Sequence, residues 1–284
     1  MSKLRDLVAA ELGEPVDPRV VAYAQAIAAK HGEASRALLF YGSCLREKQL
    51  EGLMLDFYLI VSDYRVAYAK RWMATANRLI PPNVFPFEHG GLMAKYAVLS
   101  ERDFDRLNGP ETRNVSVWAR FAQPSRLVWA SNDTAQERAI DAVAKAAPTL
   151  LGAAGQIDGQ DMLDWWRRAF ALTYSAELRA ERKGRSQSVV DADPDRYRAF
   201  GEAARPLVSA NAGQWSRRRI EGKALSVLRL AKASATYAGG ADYIAWKINR
   251  HAGTKIALKP WQQRHPLLAA ISLLPRLLKS GAIR

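Results

Sequence analysis

Two apolar segments in the first third of the chain carry residues suited to phosphate and metal chemistry. Residues 38–41 are followed by Gly42-Ser43, and residues 54–61 contain a single carboxylate, Asp56. A glycine lets the backbone approach a phosphate closely, and a serine adds a hydroxyl to the backbone N–H groups around it. A carboxylate in an apolar segment is costly to bury without a partner, and a divalent cation is a suitable one. The pattern predicts a phosphate-binding turn beside a metal ligand.

The loop between these segments, and the residues after the second one, add further candidates. Arg46 and Lys48 would bind the same triphosphate as the Gly-Ser turn, and Asp63 could join Asp56 on the metal. A Gly-Ser turn is also common before ordinary strands, and an Asp before a helix is more often an N-cap. Nucleotidyltransferases generally carry a second acid two residues after the first, where this chain has Tyr58. From these residues alone, a nucleotidyl-transfer site and a structural turn both remain open.

Short motifs in a fixed order extend this pattern along the chain. They are Tyr41-Gly42-Ser43, Leu55-Asp56-Phe57, Trp72, Asn77, Asn83, Lys95 to Ser100, Ala119 to Pro124, Leu172 to Arg179, and Gly222-Lys223. In this order they resemble the mitochondrial translocator assembly and maintenance family, over about residues 38 to 250. That family also has Asp-Phe in place of Asp-x-Asp, so Tyr58 agrees with the resemblance.

The resemblance implies a CTP:phosphatidate cytidylyltransferase that makes CDP-diacylglycerol at a membrane surface with Mg²⁺ or another divalent cation. It implies catalytic roles for Asp56 and Lys95, the latter as a phosphate contact, and a winged-helix-like module in the second half. Phosphatidate would attack the α-phosphorus of CTP through its own phosphate, which is largely dianionic near neutral pH and needs no strong general base. Metal and cationic side chains would align two anions that repel each other.

A second cationic site is expected for the phosphate of the lipid. Lys223, Arg229 and Lys232 fall close to helical spacing, and Arg179 lies in one of the family-like motifs. A helix with this spacing would also simply carry a solvated basic face. The lipid-phosphate site and the solvated face are therefore both consistent with the sequence.

The charge balance favours an anionic partner. The 284 residues include 42 Lys and Arg against 28 Asp and Glu, which gives a net charge of +14. Such a charge predicts attraction to anionic membranes, nucleic acid or phosphorylated substrates. The sequence has no RNP-like, zinc-finger or basic-aromatic repeat pattern, so we expect no nucleic-acid partner. A single cysteine, Cys44, and four scattered histidines offer no disulfide framework and no metal-ligand spacing.

The distribution of apolar residues predicts a cytoplasmic protein that meets membranes only peripherally. Residues 1–12 have mixed charge and lack the apolar core of a signal peptide. No apolar run approaches the roughly 18 residues needed to span a bilayer. Residues 265–284 combine Leu267, Ile271 and Leu278 with Arg276 and Lys279. This segment fits an amphipathic helix at a bilayer interface, and it equally fits a terminal helix docked on its own domain.

Strand and helix patterns mix over residues 1–150 and predict an α/β domain with a nucleotidyltransferase-like mixed sheet. Strands are expected at residues 36–41, 53–61, 93–99 and 125–130, and helices at 18–30, 64–79 and 133–147. A mainly helical domain is expected over residues 151–264, because segments 161–182, 193–211, 217–233 and 241–251 favour helix. The amphipathic helix 265–284 would follow it.

Two other functions fit the same sequence. A nucleotidyltransferase for a different acceptor would usually need a base near the attacking hydroxyl, and the sequence identifies none. A non-catalytic nucleotide-binding module would keep the sheet without the second acid. Tight, metal-dependent CTP binding without turnover would favour the module.

Overall fold

A five-stranded mixed sheet forms the centre of the fold. The computed structural model of the chain describes residues 2–47, 50, 53–157, 159–177, 189–208 and 214–236. The strands are β1 Ser35–Tyr41, β2 Met54–Val61, β3 Asn83–His89, β4 Leu92–Ser100 and β5 Ser125–Ala130. Their order in the sheet is β3-β4-β2-β1-β5. β2 and β4 pair in parallel, and the other neighbours are antiparallel.

Helices precede the sheet, connect its strands and follow it. Those before β5 are α1 Lys3–Leu12, α2 Pro18–His31, α3 Ser43–Glu47, α4 Tyr64–Ala67, α5 Arg71–Leu79, α6 Glu101–Asn108 and α7 Trp118–Phe121. Those after β5 are α8 Asp133–Ala144, α9 Ala146–Ala154, α10 Met162–Ala176, α11 Pro194–Ala204 and α12 Trp215–Thr236. Side-chain oxygens of Asp17 and Asn132 cap the first turns of α2 and α8, where backbone N–H groups lack partners. Among the described residues, no helix has the length and apolar character needed to cross a membrane.

The alternation of β2 separates two apolar clusters on the two faces of the sheet. Leu55, Phe57 and Leu59 belong to one cluster, together with residues of α2, α4 and α5. Tyr58 and Ile60 belong to a larger cluster with residues of α1 and of the helices from α6 to α11. Because side chains alternate along a strand, Asp56 shares the face of Tyr58. The candidate chemistry therefore lies on the side of the larger cluster.

The α/β class is confirmed, and each of the four predicted strands forms within one residue of its predicted ends. β3 is not among the predicted strands. It contains Pro86, which cannot donate to a ladder and is unusual in a central strand. The structure places β3 at the edge of the sheet, where a proline is tolerated.

The predicted single helix over residues 64–79 is wrong. Tyr68 adopts an extended backbone with φ −126° and ψ 125°, and this interruption separates α4 from α5. Its side chain is buried and accepts a hydrogen bond from Asn77 Nδ2 at 2.9 Å, so tertiary packing overrides the helical pattern. The predicted helix 133–147 likewise divides at Lys145 into α8 and α9.

The second half of the chain is helical where it is described. α10, α11 and α12 form within the predicted segments or extend slightly beyond them. The predicted helices 241–251 and 265–284 lie outside the described residues. The expected boundary at residue 150 falls inside α9, whose residues on both sides of it pack into the larger cluster. The division into domains stays a prediction.

Candidate active site

Asp56 and Lys95 form an ion pair on the face of the larger cluster. They are register partners on the parallel strands β2 and β4, so their side chains project from the same face of the sheet. Lys95 Nζ lies 2.9 Å from Asp56 Oδ1, and the two side chains are 26% and 18% exposed. The structure thus brings together the two residues for which catalytic roles are predicted.

The turn after β1 packs against the carboxylate of Asp56. Gly42 has a φ of 98°, a conformation that residues with a side chain rarely adopt. A Cβ at this position would lie 3.0 Å from Asp56 Oδ2. Gly42 therefore leaves space beside this oxygen, and Ser43 follows as the first residue of α3. The Gly-Ser turn and the acid lie together, as a nucleotide site requires.

Tyr58 occupies the position at which nucleotidyltransferases generally carry a second acid. Its side chain is buried, and its ring centroid lies 5.4 Å from that of Tyr41 and 5.2 Å from that of Phe121. Position 58 therefore contributes aromatic packing and one phenol group next to Asp56. It does not contribute a carboxylate.

Arg120, on α7, extends over this aromatic cluster toward the acid. Its Nη1 donates to Ser116 O at 3.0 Å and lies 3.4 Å from Tyr58 Oη, and its guanidinium carbon lies 5.7 Å from the ring centre of Tyr41. Burial lowers the pKa of Arg120, but the phenols of Tyr58 and Tyr41 and the carboxylates of Glu177 and Asp56 outweigh this effect. The net pKa is raised well above its ordinary value, so Arg120 is a permanent cation near Asp56.

Ser116 connects Arg120 to a second arginine on α12. The Ser116 carbonyl accepts from Arg120, while Arg229 Nη1 lies 3.0 Å from Ser116 Oγ. Arg229 Nε also donates to Pro81 O at 2.8 Å, and its Nη2 atom is buried with no hydrogen-bond partner in the described structure. Burial is the main cause of a lowered pKa for Arg229, which nearby Glu177 partly opposes.

Lys232 lies one turn beyond Arg229 on α12 and contacts the same loop. Its Nζ donates to the carbonyl of Ile80 and, at 2.8 Å, to that of Pro82. Burial, followed by the charge of Arg229, lowers the pKa of Lys232 to about 7. Lys232 is therefore a largely desolvated amine that donates to two backbone carbonyls.

Two buried asparagines hold the loop that receives these cations. Asn77 Oδ1 accepts from the backbone N–H of Asn83 at 2.6 Å, and Asn77 Nδ2 donates to Val98 O at 3.0 Å. Asn83 Nδ2 donates to Met73 O at 3.1 Å. These hydrogen bonds fix the loop of residues 80–82 between α5 and β3. They give a structural role to Asn77 and Asn83, which the sequence identifies only as members of the ordered motifs.

Basic side chains gather near Asp56 and the loop of residues 80–82. The described cations are Lys95, Arg120, Arg229 and Lys232, and the described acids that interact with them are Asp56 and Glu177. Among these described groups, basic side chains outnumber carboxylates in a partly desolvated region. An anionic ligand would compensate the positive charge of these basic side chains.

Two of the predicted site residues lie elsewhere. Asp63 follows the end of β2, seven residues from Asp56, which corresponds to about 23 Å along an extended strand. Its carboxylate caps α4 by accepting from Arg65 N at 2.7 Å, so it does not join Asp56 in a metal site. Lys223 is exposed on α12, whereas Arg229 and Lys232 are partly buried against the loop of residues 80–82. The structure does not bring Lys223 together with these two cations, because six residues turn it to another side of the helix.

Three other predicted residues cannot be placed in the site. The backbone of Arg46 lies in α3, but its side chain is outside the described part of the chain, as are Lys48 and Arg179.

Arg120, Ser116 and Glu177 are the site residues that sequence reasoning missed. Arg120 and Glu177 both stand within the short motifs that carry the family resemblance, which was the available signal. Ser116 stands in no motif, and only the tertiary fold brings it between two arginines.

The carboxylate of Asp56 is a suitable ligand for a divalent cation such as Mg²⁺. Mg²⁺ is commonly bound by one or two carboxylates together with substrate phosphates and water. Asp56 Oδ2 is the oxygen that the missing side chain of Gly42 leaves accessible, so it would be the protein ligand. Within the described ranges, no group of three or more His, Cys, Asp and Glu side chains forms a complete protein cage.

Comparison with known proteins adds no assignment. No protein-family model matches the chain, and none of the curated proteins shows a significant match to it.

Proposed function

We propose that this chain is a phosphatidate cytidylyltransferase, which transfers CMP from CTP to phosphatidate and releases pyrophosphate. The observation that carries the proposal is the ion pair of Asp56 and Lys95 beside a glycine-containing turn, with the buried Arg120 interacting with Asp56 and linked through Ser116 to Arg229. The ordered motifs that resemble the mitochondrial translocator assembly and maintenance family support the same reaction.

The nucleotide would bind at the turn of Gly42 and Ser43. Ser43 and the surrounding backbone N–H groups would bind phosphate oxygens, and Lys95 would neutralise part of their charge. Asp56 would hold a divalent cation, which supplies charge neutralisation for the nucleotide phosphates when bound. Arg120, held by Ser116 and Tyr58, would keep a fixed positive charge toward the reacting phosphates.

The second anion would bind on the side of Arg229 and Lys232. Both cations are partly buried and are bonded mainly to carbonyl and hydroxyl oxygens. A phosphomonoester would add charge-assisted hydrogen bonds to those that these side chains make with neutral oxygens. A phosphate bound there would also lie near Arg120, because Ser116 bridges the two arginines.

The nature of the nearby groups favours a phosphate nucleophile over a hydroxyl. His31 lies on the opposite face of the sheet, with Nε2 3.1 Å from Tyr96 Oη and Nδ1 3.2 Å from Ala67 O. His89 ends the edge strand β3. Of the histidines in the described ranges, neither is therefore positioned as a base for an attacking hydroxyl, whereas a phosphate dianion needs none.

The test is incubation of the full chain with each labelled nucleoside triphosphate, phosphatidate vesicles and Mg²⁺, followed by lipid extraction. We expect label from CTP to enter the lipid fraction as CDP-diacylglycerol, with release of pyrophosphate. Label transfer only to a different acceptor would replace this proposal with another nucleotidyltransferase activity. Metal-dependent CTP binding without any transfer would instead support the non-catalytic module.

A further inference from the structure

The outer surface of α4 and α5 carries three large apolar side chains that the fold leaves in solvent. Val66 is 65% exposed, Trp72 is 47% exposed and Leu79 is 72% exposed. Trp72 and Leu79 are seven residues apart on α5, so they share one side of the helix. The inner sides of the two helices are already used, because Tyr64, Tyr68 and Ala74 are buried in the smaller cluster.

Cationic side chains surround these apolar residues. Arg65, Lys70, Arg71 and Arg78 are all exposed, and between residues 64 and 87 the chain has no Asp or Glu. The nearest acid in sequence is Asp63, whose Oδ2 lies 4.0 Å from Arg78 Nη2. This contact joins the start of α4 to the last turn of α5, and we refer to the exposed apolar and basic side chains of these two helices as the α4–α5 face.

We infer that this α4–α5 face docks on an anionic lipid bilayer. Exposed aliphatic and Trp side chains flanked by Lys and Arg are the composition of helices that lie in a membrane interface. The apolar side chains would enter the interface, while Arg65, Lys70 and Arg71 would contact acidic headgroups. A protein partner for this face would be expected to carry both apolar and acidic side chains. The experiment below distinguishes binding to such a protein from binding to a bilayer.

The face continues toward the candidate acceptor site. Leu79 is followed directly by Ile80, whose carbonyl accepts from Lys232. Arg229 binds the next carbonyl, that of Pro81, at 2.8 Å. Lys232 and Arg229 would then be the first buried basic residues that a lipid phosphate meets beyond the docked face. This part of the inference rests on the proposed function, in which these two residues bind the acceptor phosphate.

The experiment measures sedimentation of the full chain with phosphatidylcholine vesicles that contain or lack phosphatidylglycerol. Phosphatidate is omitted so that the substrate site does not contribute. We expect binding only with phosphatidylglycerol, and we expect Val66→Ser/Leu79→Ser to lower the partition coefficient about tenfold. Lys70→Gln/Arg71→Gln should lower it by a similar factor and reduce its salt dependence.

A matched control is available on α12. Ile220 is exposed to the same 72% as Leu79 and is flanked by exposed Arg217 and Arg219. Ile220→Ser and Arg217→Gln/Arg219→Gln should leave the partition coefficient unchanged. Equal losses in the two sets of variants, or no loss in the α4–α5 variants, would overturn the inference. The inference would also be overturned if the α4–α5 variants still bound vesicles but lost self-association or lost binding to another protein.

A second measurement keeps this test separate from that of the proposed function. Each variant is assayed with CTP and a short-chain, water-soluble phosphatidate, which requires no bilayer. The α4–α5 variants should retain wild-type turnover on this substrate and lose it on vesicles. If wild-type chain shows no turnover on either substrate but still binds vesicles through this face, the proposed function fails while the docking surface stands.

Discussion

Lys95 Nζ lies 2.9 Å from Asp56 Oδ1 because the two residues are register partners on the only parallel strand pair among the described strands. A parallel pair places both side chains on the same face at the same height of the sheet. The pair therefore presents a carboxylate and an ammonium group side by side, one suited to a cation and the other to a phosphate oxygen. Gly42, against Asp56 Oδ2, leaves the approach to this pair open.

Replacing Asp56 by Asn should abolish cytidylyl transfer, with a loss of at least about a thousandfold. The change removes the negative charge that would hold a divalent cation and that forms the ion pair with Lys95. Lipid-soluble label from CTP measures the rate, and thermal unfolding reports the fold. Asp63→Asn is the matched control, because Asn caps a helix as well as Asp does, and we expect full activity from it. A folded Asp56→Asn chain with wild-type turnover would contradict the mechanism.

Replacing Gly42 by Ala should impair both the backbone and the site. The φ of 98° is strained for alanine, at a cost of about 1–3 kcal/mol, and the new Cβ would lie 3.0 Å from Asp56 Oδ2. Gly32→Ala separates the two effects, since its φ is 52° and a Cβ there meets nothing within 4 Å. Both variants should unfold at lower temperature, but only Gly42→Ala should lose CTP affinity. Equal CTP affinity in the two variants would remove Gly42 from the nucleotide site.

The strands and their acid were predictable because they rest on local patterns. Alternation and apolar runs identify β2 and β4, and a carboxylate within such a run is conspicuous. β3 contains Pro86, which lowers its strand signal, and only its position at the sheet edge makes the strand possible. The break at Tyr68 depends on its contact with Asn77 and on burial, so helical periodicity alone could not reveal it.

The cationic part of the site was only partly predictable for a similar reason. Helical spacing groups residues that share a face, but it does not show which face is buried. Arg229 and Lys232 reach the loop of residues 80–82, which is about 150 residues away in sequence, whereas Lys223 remains exposed. The role of Ser116 depends on two such long-range contacts. Tertiary contacts of this kind carry no periodic signature.

Replacing Arg229 by Gln should raise the KM for phosphatidate about tenfold or more, with a much smaller effect on the KM for CTP. Arg229 is bonded to Pro81 O and Ser116 Oγ, and none of its described hydrogen bonds is with the Gly-Ser turn. Lys223→Gln, an exposed residue of the same helix, is the control and should change neither constant. Steady-state rates with each substrate varied in turn measure the effect. Similar increases in both constants would place Arg229 on the nucleotide instead.

The buried pair of Glu11 and Arg196 should be important for stability. Arg196 Nη2 lies 3.0 Å from Glu11 Oε1, its Nη1 donates to Ala122 O at 3.2 Å, and its guanidinium carbon lies 4.2 Å from the ring centre of Phe200. Arg196→Ala should lower the free energy of unfolding by about 3–5 kcal/mol, because it leaves the carboxylate of Glu11 buried without its partner. Urea unfolding followed by circular dichroism measures the change.

Two further variants test the reason for that loss. Arg198→Ala removes an exposed arginine of the same helix, paired with an exposed Asp195, and should cost at most about 1 kcal/mol. Glu11→Leu/Arg196→Met removes both buried charges and should recover most of the stability lost in Arg196→Ala. A double variant as unstable as Arg196→Ala would show that packing, and not the unpaired charge, causes the loss.

Lys232 should make stability increase with pH above neutrality. Burial, and then the charge of Arg229, lowers its folded-state pKa to about 7 from the ordinary 10.5. Between these two pH values the unfolded chain binds more protons at this residue than the folded chain does, so the free energy of unfolding rises with pH. Lys232→Met removes the ionisable group and should flatten this rise, whereas Lys223→Met, on the exposed side of α12, should not. Urea unfolding of the three proteins at several pH values from about 6.5 to 9.5 measures the slopes. Parallel curves for the wild-type chain and Lys232→Met would show that Lys232 does not titrate in this range.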